Sequence, residues 1–331
     1  MIPHMIPHMI PQIIVKKITT DAEMSAKEGE YFNQDHYKPE NIIRTDCDVY
    51  KDFIHEDNLL LKFRKSVISN ELCRAAEDSY KKAAKKKHDN RGSSSGPLDR
   101  NKMPQYVGEF RNPTKFRTHY YRNNSGVESK HYISNLSASN IVGFFDRPDR
   151  NTKNKGLPCR LTAFNRDFPE KWQQSIPFIR RTDELFHELV PSRWIAQKKR
   201  ADEVPQFTIP GTAFTTLTIN YSWRTAAHKD AGDYHPGFGN LIVVEDTENP
   251  HTYTGCYTGF PQYGVCVDVR DGDFLAMDVH EWHCNTEFYP TNPELLDEYK
   301  AKSEDYVNQW HFNRLSVVCY LREGMLRCKN L

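Results

Sequence analysis

The sequence predicts an α+β fold in which helices come first and an antiparallel β-core follows. Two segments before residue 190 carry apolar side chains at helical spacing. After Pro205 the chain changes to short β-branched and aromatic runs separated by Gly, Pro and Asp clusters. That pattern is typical of an antiparallel sandwich or barrel. A chain of 331 residues is long enough for one large domain or two ordinary ones.

Overall composition excludes two classes of protein. The mean hydropathy is −0.75, and no segment approaches the roughly 18 to 20 consecutive apolar residues that a membrane span needs. Apolar residues make up 38% of the chain and aromatic residues 12%, which is too many for a globally disordered protein. We therefore expect a folded protein that does not span a membrane.

The cysteine pattern indicates a reducing compartment. Eight cysteines are scattered along the chain without a CxxC pair. In a chain of this length, that pattern predicts reduced, buried thiols of an intracellular protein rather than disulfides or a zinc site. The residues concerned are Cys47, Cys73, Cys159, Cys256, Cys266, Cys284, Cys319 and Cys328.

Before the first helix the sequence predicts little regular structure. The chain opens with the repeats MIPH, MIPH and MIPQ, in which the prolines prevent a helix. We expect a disordered leader over residues 1–20 and an acidic, irregular arm over 21–58. The arm would belong to an N-terminal region, 21–130, that packs on a core domain formed by 131–331.

Two helices and five β-segments are predicted in the rest of the chain. The first helix spans 71–87 with Asn70 as N-cap, and the second spans Pro169–Leu189 with a kink or break at Pro177. The β-segments are 207–221, 241–244, 263–269, 273–277 and 315–321.

Charge is strongly segregated although the net charge is only +1. Residues 81–200 hold 26 Lys and Arg against 11 Asp and Glu. Within them, the turn-rich segment 88–102 is either a mobile linker or a segment that a partner orders. A basic stretch of this kind either faces nucleic-acid phosphates or forms an ordinary solvated surface, and charge alone does not decide between the two.

Two histidines and one carboxylate form a candidate metal site. His228 and Asp230 follow the strand TTLTINYSW and, two residues apart on extended chain, point to the same side. His283 comes at the far end of the strand that follows the Gly272-Asp273 turn. Such a triad holds Fe(II) and leaves positions open for O₂ and a chelating co-substrate. A zinc hydrolase would use the same residue types.

Arg314 and Ser316 favour the iron enzyme over the zinc hydrolase. A guanidinium and a hydroxyl on the last strand can bind the distal carboxylate of 2-oxoglutarate. The alternative for Arg314 is an ordinary surface ion pair. His280 would face away from the metal on a strand and is predicted to be structural, and His235 and His251 are predicted to lie in loops.

The segments RTAAHKDAGDYHPGFGNLIVVED, FPQYGVCVDVRDGDFLAMDVHEWHCNTEF and NRLSVVCYLREG together resemble the TET/JBP family of dioxygenases. The resemblance covers roughly residues 135–325 and is to the short viral, phage and protist members. It implies a double-stranded β-helix (jelly-roll, cupin-like) core, Fe(II), 2-oxoglutarate and O₂. It also implies hydroxylation of the 5-methyl group of a pyrimidine that has flipped out of DNA. Ascorbate, used by an algal relative, stays an alternative co-substrate.

The resemblance also implies roles for individual residues. The iron ligands would be His228, Asp230 and His283. The co-substrate pocket would comprise Arg314, Ser316, Arg224 and Asn220. The base would meet Asp233, Tyr320 and Arg322, although several relatives carry His where this chain has Arg322. An ionised Asp233 only accepts hydrogen bonds, so it favours 5-methylcytosine over thymine unless it is protonated or bridged by water.

The partner and the alternatives follow from the same resemblance. We expect a monomer inside a cell, in the nucleus, the cytoplasm or a virus-infected host cell, that binds DNA through the basic stretch 81–200. A 2-oxoglutarate-dependent hydroxylase acting on a protein side chain, RNA or a small molecule is the alternative, because one scaffold serves all these substrates. The acidic insertion 287–312 is either a lid or an ornament on the sheet.

Overall fold

A computed structural model of the chain describes residues 9–103, 109–121, 132–146, 159–301 and 311–330. The MIPH repeats over 1–8, parts of the basic stretch 81–200, and residues 302–310 of the insertion lie outside them. Among the described residues, no helix has the length and apolar character needed to cross a membrane.

Along the chain, strands come both before and after the longer helices. The described helices are α1 (Asp21–Ala26), α2 (Asn70–Ala84), α3 (Ala163–Asp167), α4 (Pro169–Leu189), α5 (Pro191–Ala201) and α6 (Glu294–Ala301). The first strands are β1 (Gln12–Val15), β2 (Ile42–Ile43), β3 (Cys47–Lys51), β4 (Leu59–Arg64), β5 (Lys87–His88), β6 (Glu109–Arg111), β7 (His119–Tyr121), β8 (Ser137–Phe145) and β9 (Arg160–Leu161). The later strands are β10 (Thr216–Tyr221), β11 (Gly239–Glu245), β12 (Tyr253–Gly255), β13 (Thr258–Phe260), β14 (Val265–Val267), β15 (Phe274–Met277), β16 (Cys284–Asn285), β17 (Phe288–Pro290) and β18 (Arg314–Tyr320).

Two facing sheets form the core. The large sheet has the order β1-β3-β4-β15-β11-β18-β10-β8-β5, and the small sheet has the order β16-β13-β14-β2. From β10 onward the chain passes back and forth between them: β10 and β11 in the large sheet, β13 and β14 in the small one, then β15, β16 and β18 in turn. This alternation is that of a double-stranded β-helix, so the predicted fold class is confirmed.

Alternate residues of β10 and β18 face opposite sides of the large sheet, as the strand period requires. One set, which includes Leu217, Ile219 and Val317, is buried in a core that also contains Phe178 and Phe186 of α4. The other set faces the space between the two sheets. The helices therefore cover the outside of the sheet and leave its inner face for the functional site.

The first predicted helix, 71–87, is Asn70–Ala84 in the structure, and the second keeps its predicted bounds without a break. Helix α4 spans Pro169–Leu189 as predicted and continues through Pro177. Helix α2 begins at Asn70, and its N-cap is Ser69, whose Oγ accepts a hydrogen bond from the backbone N–H of Leu72 at 3.4 Å. Ser and Asn are both favoured at the N-cap position, so residue type alone could not decide whether Ser69 or Asn70 caps the helix.

The leader over 1–20 and the irregular arm over 21–58 were wrong for the residues that the structure describes. Strand β1 pairs in parallel with β3, β3 pairs with β4, and β4 pairs with β15 of the core. Thr20 and Glu23 form a reciprocal capping box that starts α1. The large sheet thus takes strands from both sides of residue 131, where the core domain was predicted to begin.

The expectation of eight reduced thiols was also wrong. Cys159 and Cys328 form a disulfide whose Cα atoms lie 6.2 Å apart, within the range that a disulfide bridges. The other six cysteines are free and buried. The two bonded residues are 169 positions apart in the chain, so no local spacing could have shown the pair.

We expect this disulfide to be countable in solution. Denatured, unreduced protein should react with a thiol-alkylating reagent at six cysteines, and reduced protein at eight, as mass spectrometry of the intact chain would show. A Cys159→Ser variant should melt at a lower temperature than the wild type, because the cross-link restricts the unfolded chain. The difference should vanish in reductant. Alkylation at eight sites without reduction would contradict the bond.

Candidate active site and metal centre

Backbone hydrogen bonds bring the two halves of the histidine–carboxylate triad together. His228 and His283 exchange N–H to C=O bonds of 3.0 Å in both directions. The N–H of Asp230 donates to the carbonyl of Val279, also at 3.0 Å. Gly272 lies in the turn before β15, on the way to His283, and its φ of +74° and close approach to the Ile68 carbonyl leave no room for a side chain. Segments more than 50 residues apart therefore meet as a ladder.

The three side chains are arranged for one metal ion. One ligand atom from each of His228, Asp230 and His283 lies within 4.8 Å of the others. The Nε2 of His228 is 3.5 Å from Oδ1 of Asp230, and the Nε2 of His283 is 3.8 Å from Oδ2. Among the described residues, this is the one group of three or more potential metal ligands that meets this spacing.

Both histidines are held in the tautomer that a metal needs. The Nδ1 of His228 lies 2.8 Å from the carbonyl of Ala226, and the Nδ1 of His283 lies 3.0 Å from the carbonyl of Glu281. Since a carbonyl only accepts, each Nδ1 carries the hydrogen and each Nε2 lone pair is free. Burial lowers the pKa of His228 to about 4, so its ring is neutral at pH 7. The donor set fits Fe(II) with open positions.

A second part of the site is built to hold an anion. Arg314, at the start of β18, is only 3% exposed. Its Nε and Nη2 atoms have no hydrogen-bond partner among the described residues. A buried guanidinium without partners is costly, and a carboxylate would satisfy it. This burial excludes the surface ion pair considered for Arg314 and fits the distal carboxylate of 2-oxoglutarate.

Asn220 and Ser316 lie beside Arg314 for a reason of register. Their Cα atoms are paired across β10 and β18, and the Nδ2 of Asn220 donates to Ser316 Oγ at 3.2 Å. The Oδ1 of Asn220 accepts from Ser139 Oγ at 2.5 Å, which fixes the amide. Both side chains therefore present ordered polar groups to the same anion site.

One cavity of about 570 Å³ joins the triad to Arg314, a volume within the usual range for a ligand pocket. Even-numbered positions of β18 run along its wall. The cavity lining includes Asn90, Arg91, Gly92, Ser93, Ser94, Arg117, Thr218, Asn220, His228, Asp230, Asp233, His283, Arg314, Ser316, Val318, Tyr320 and Arg322. All three predicted substrate residues are in this lining.

The predicted substrate residues form one polar wall. Asp233 and Arg322 face each other across a backbone bridge. Arg322 donates from Nε to Oδ1 of Asp146 at 2.7 Å, so its position is fixed. The Tyr320 hydroxyl is 3.0 Å from Thr218 Oγ1, and burial raises its pKa to about 12. The tyrosine is thus a neutral ring at the cavity wall.

The electrostatic surroundings of Asp233 disfavour its charge. Burial, first, and the neighbouring charge of Asp230 raise its pKa well above the usual value, while Arg322 opposes the rise. Asp233 is thus close enough to both the metal carboxylate and the arginine to feel their charges.

Arg224 does not belong to this cavity, contrary to the sequence prediction. Ser222 has a positive φ of 46° just after β10, and the chain turns there. The Arg224 guanidinium donates to the carbonyls of Asn285 at 3.3 Å and Phe32 at 3.2 Å, and it also bonds Asn33. These contacts use the side chain to fix the N-terminal arm.

Other histidines and the insertion also lie apart from the metal ligands. The rings of His280 and His235 stack with centroids 4.5 Å apart. Phe288 of β17 stacks on Phe312 at 5.0 Å in a separate aromatic cluster. Neither the described part of the insertion beyond Glu287 nor its helix α6 contributes to the cavity lining, which supports the ornament rather than the lid for those residues.

Sequence reasoning missed two residues of the site. Asp146 follows β8, is 8% exposed and holds Arg322, but a single Asp after a strand carries no signal. Arg91 lines the cavity from the segment 88–102. Its only signal was the short Gly-Ser-rich turn next to it, which was interpreted as flexible.

Comparisons with known proteins agree with this geometry. A profile of the family Tet_JBP, described as the oxygenase domain of the 2OGFeDO superfamily, matches residues 140–323. Thymine dioxygenase JBP1 of Trypanosoma brucei brucei is 33% identical over 187 residues, which are 56% of this chain and 19% of that protein. Bifunctional helicase and thymine dioxygenase JBP2 of Leishmania tarentolae is 32% identical over 186 residues, 56% of this chain and 14% of that protein.

The match therefore spans a fifth or less of the length of these curated relatives. A solved structure of NgTET1 in complex with 5mC DNA has a TM-score of 0.48 at 11% identity, covering 93% of this chain and 92% of that one. Similarity of this degree assigns neither fold nor function.

Proposed function

Because this chain belongs to the Tet_JBP family of oxygenase domains in the 2OGFeDO superfamily, we propose that it hydroxylates the 5-methyl group of a pyrimidine in DNA. The superfamily uses Fe(II) and 2-oxoglutarate. The observation that carries the proposal is the single cavity that joins a three-ligand metal centre, a buried unpaired arginine and a polar wall. The metal centre fits Fe(II), the buried arginine fits 2-oxoglutarate, and the polar wall is available to bind the base.

Four residues of the cavity would bind the co-substrate or the base. When bound, Fe(II), 2-oxoglutarate and O₂ supply the oxidant that converts the methyl C–H into C–OH. Arg314 would hold the distal carboxylate of the co-substrate, with Ser316 and Asn220 beside it. Tyr320 would stack on the base. A 5-methyl group in an intact duplex cannot reach a buried metal, so the base has to flip out of the helix.

The order of groups along the wall favours 5-methylcytosine. With the methyl group at the metal, the substituent at C4 comes next and ring atom N3 follows. In this proposal Asp233, which feels the charge of the metal ligand Asp230, meets the C4 substituent and, when ionised, accepts from the N4 amino group. Arg322 then donates to N3. Thymine has an acceptor, O4, at the first position and a donor, N3–H, at the second, so both contacts would be repulsive.

Thymine is the second candidate, and two observations favour it. The curated relatives are named thymine dioxygenases. Burial also raises the pKa of Asp233, and a protonated carboxyl group can donate to O4. Protonation of Asp233 in the loaded site would therefore remove one of the two contacts that disfavour thymine.

Contacts of the basic stretch support a narrower DNA surface than the sequence suggested. In the described part of the stretch, many cations pair with carboxylates of this chain: Lys81 with Asp246, Lys115 with Glu30, Lys171 with Asp78, Arg181 with Glu184 and Lys198 with Asp202. Arg91 and Arg117 line the cavity instead, as does Lys229. The DNA backbone would approach these three residues.

The proposal includes a monomer that acts inside a cell, in the nucleus, the cytoplasm or an infected host cell. The alternative is the same chemistry on a protein side chain, RNA or a small molecule. Salt-sensitive binding of duplex DNA would favour the main proposal, because phosphate contacts depend on ionic strength.

Activity on defined duplexes tests the proposal. Purified protein would be incubated with Fe(II), 2-oxoglutarate and duplexes that carry either 5-methylcytosine or only thymine as the methylated base. Mass spectrometry of the nucleosides should show one added oxygen on a pyrimidine. If succinate forms while both bases stay unmodified, the oxygenase chemistry stands and DNA is not the substrate.

An Asp233→Asn variant tests the assignment of the base. An amide can turn either an acceptor or a donor toward the base. We expect the ratio of 5-methylcytosine to thymine turnover to fall about tenfold, within the range for one base-reading contact. The control is Asp202→Asn, which removes an exposed carboxylate paired with Lys198. An unchanged ratio would show that Asp233 does not read the base.

A further inference from the structure

A second arginine with an unsatisfied buried nitrogen lines the cavity, on a segment outside the family match. Arg91 lines the cavity, and its Nε is buried without a hydrogen-bond partner among the described residues. It precedes residue 140, where the family match begins. The comparisons and the metal chemistry assign it no role.

The segment that carries Arg91 is fixed in place. The hydroxyl of Ser134 accepts from the backbone N–H groups of both Arg91 and Gly92 at 3.2 Å. The Ser94 hydroxyl donates to the carbonyl of Arg91 at 2.8 Å. The carbonyl of Ser94 accepts from the N–H of Ala226 at 2.9 Å. Segment 91–94 is therefore a preformed wall tied to the chain segment that carries the metal ligand His228.

Arg91 lies at the substrate end of the cavity. Its electrostatic neighbours are Tyr320, Asp230 and Arg322. Arg314 is six residues before Tyr320 on β18, which places the two ends of that wall about 20 Å apart. Arg314 and Arg91 thus serve different ends of the cavity.

The charge of Arg91 has no dedicated counter-ion among the described residues. Arg322 is paired with Asp146 at 2.7 Å, and the Asp230 carboxylate is needed by the metal. Burial lowers the pKa of Arg91 but leaves a guanidinium charged. Arg91 is half-buried and its Nε is shielded from water, and such a cation is stabilised more by an anion than by a neutral carbonyl.

We propose that Arg91 is a substrate-binding residue whose guanidinium pairs with a DNA phosphate next to the flipped nucleotide. The inference rests on the proposed function, because it requires DNA in the cavity. It assigns two arginines to two anions: Arg314 to the co-substrate carboxylate and Arg91 to the substrate backbone. A segment beyond the family match thereby completes the nucleotide site.

Chemical removal of one phosphate charge tests this contact. Metal-free protein would be titrated with fluorescent duplexes in which a neutral methylphosphonate replaces each phosphate around the target base in turn. We expect Arg91→Gln to weaken binding about tenfold, as for one charge-assisted contact. At one flanking position, the methylphosphonate should weaken wild-type binding by a similar factor and leave the Arg91→Gln variant unaffected. Arg91→Lys should recover part of the loss.

The controls separate the possible outcomes. Arg181→Gln removes the same charge from a residue of α4 that is paired with Glu184 and should not change binding. If Arg91 contacts none of these phosphates, the affinity loss from Arg91→Gln and the loss from each methylphosphonate are independent. The two factors would then multiply at every position, and that result would overturn the contact. So would a variant that binds DNA normally but loses affinity for 2-oxoglutarate, measured by the charge-transfer band of the Fe(II) complex. If the wild type itself binds no duplex, that result contradicts both the Arg91 contact and the proposed function on DNA.

Discussion

Replacing Asp230 by Ala should abolish Fe(II) binding and turnover together. The change removes the only carboxylate of the triad and keeps the backbone N–H bond to Val279. Substitution of residues that only hydrogen-bond to metal ligands costs about 10- to 100-fold in metal affinity, so loss of a direct ligand should exceed 100-fold. Titration of the apo-protein with Fe(II) under anaerobic conditions, followed by the charge-transfer band with 2-oxoglutarate, measures this affinity.

The control for this variant is Asp202→Ala. It removes an exposed carboxylate whose partner is Lys198, and it should bind Fe(II) like the wild type. The Asp230→Ala protein should also keep its melting temperature in the absence of metal. Retention of Fe(II) binding within a few-fold of the wild type would show that the ion sits elsewhere.

Replacing Arg314 by Met should separate co-substrate binding from stability. The side chain is 3% exposed, and two of its nitrogens have no partner in the described structure. Loss of a buried charge partner costs about 2–5 kcal/mol, so affinity for 2-oxoglutarate should fall by roughly 30-fold or more. The apo-protein should melt at the same or a higher temperature, because an unpaired buried charge has been removed.

Arg64→Met is the matched control and should show the opposite pattern. Arg64 is also buried, but it is paired with Asp48 at 2.8 Å and donates to the carbonyl of Phe63 at 2.8 Å. Its loss should lower the melting temperature and leave 2-oxoglutarate affinity unchanged. A large drop in stability for Arg314→Met, with normal co-substrate affinity, would make Arg314 a structural residue.

The metal site could be predicted from the sequence because its residues are close to strand ends. Arg314 opens β18, so the register of β18 with β10 fixes where it points. His228 and Asp230 lie beyond the turn at Ser222, and it was their spacing of two residues on extended chain that predicted that both face one ion. Arg224 was assigned to the pocket by its position on the strand before His228, but Ser222 takes a positive φ, so that strand ends before Arg224 is reached.

Long-range partners could not be predicted in this way. The bonds of Arg322 with Asp146 and of Cys159 with Cys328 join residues more than 160 positions apart, and no local pattern specifies them. The strands β1 and β3 were missed because short segments such as QIIV and CDVYK give no clear period. Their place in the sheet comes from a chain of pairings, because β1 pairs with β3, β3 with β4, and β4 with β15 of the core.

The pairing of β4 with β15 limits how far the chain can be shortened. A fragment that starts at residue 140 would lose β4, which lies against Phe274–Met277 in antiparallel register. All four residues of β15 are buried. In such a fragment they would form an open, apolar sheet edge, and edges of this kind recruit strands from other molecules. The stretch recognised by homology is therefore smaller than the unit that stays soluble, and a fragment meant for crystallisation has to include residues 47–64.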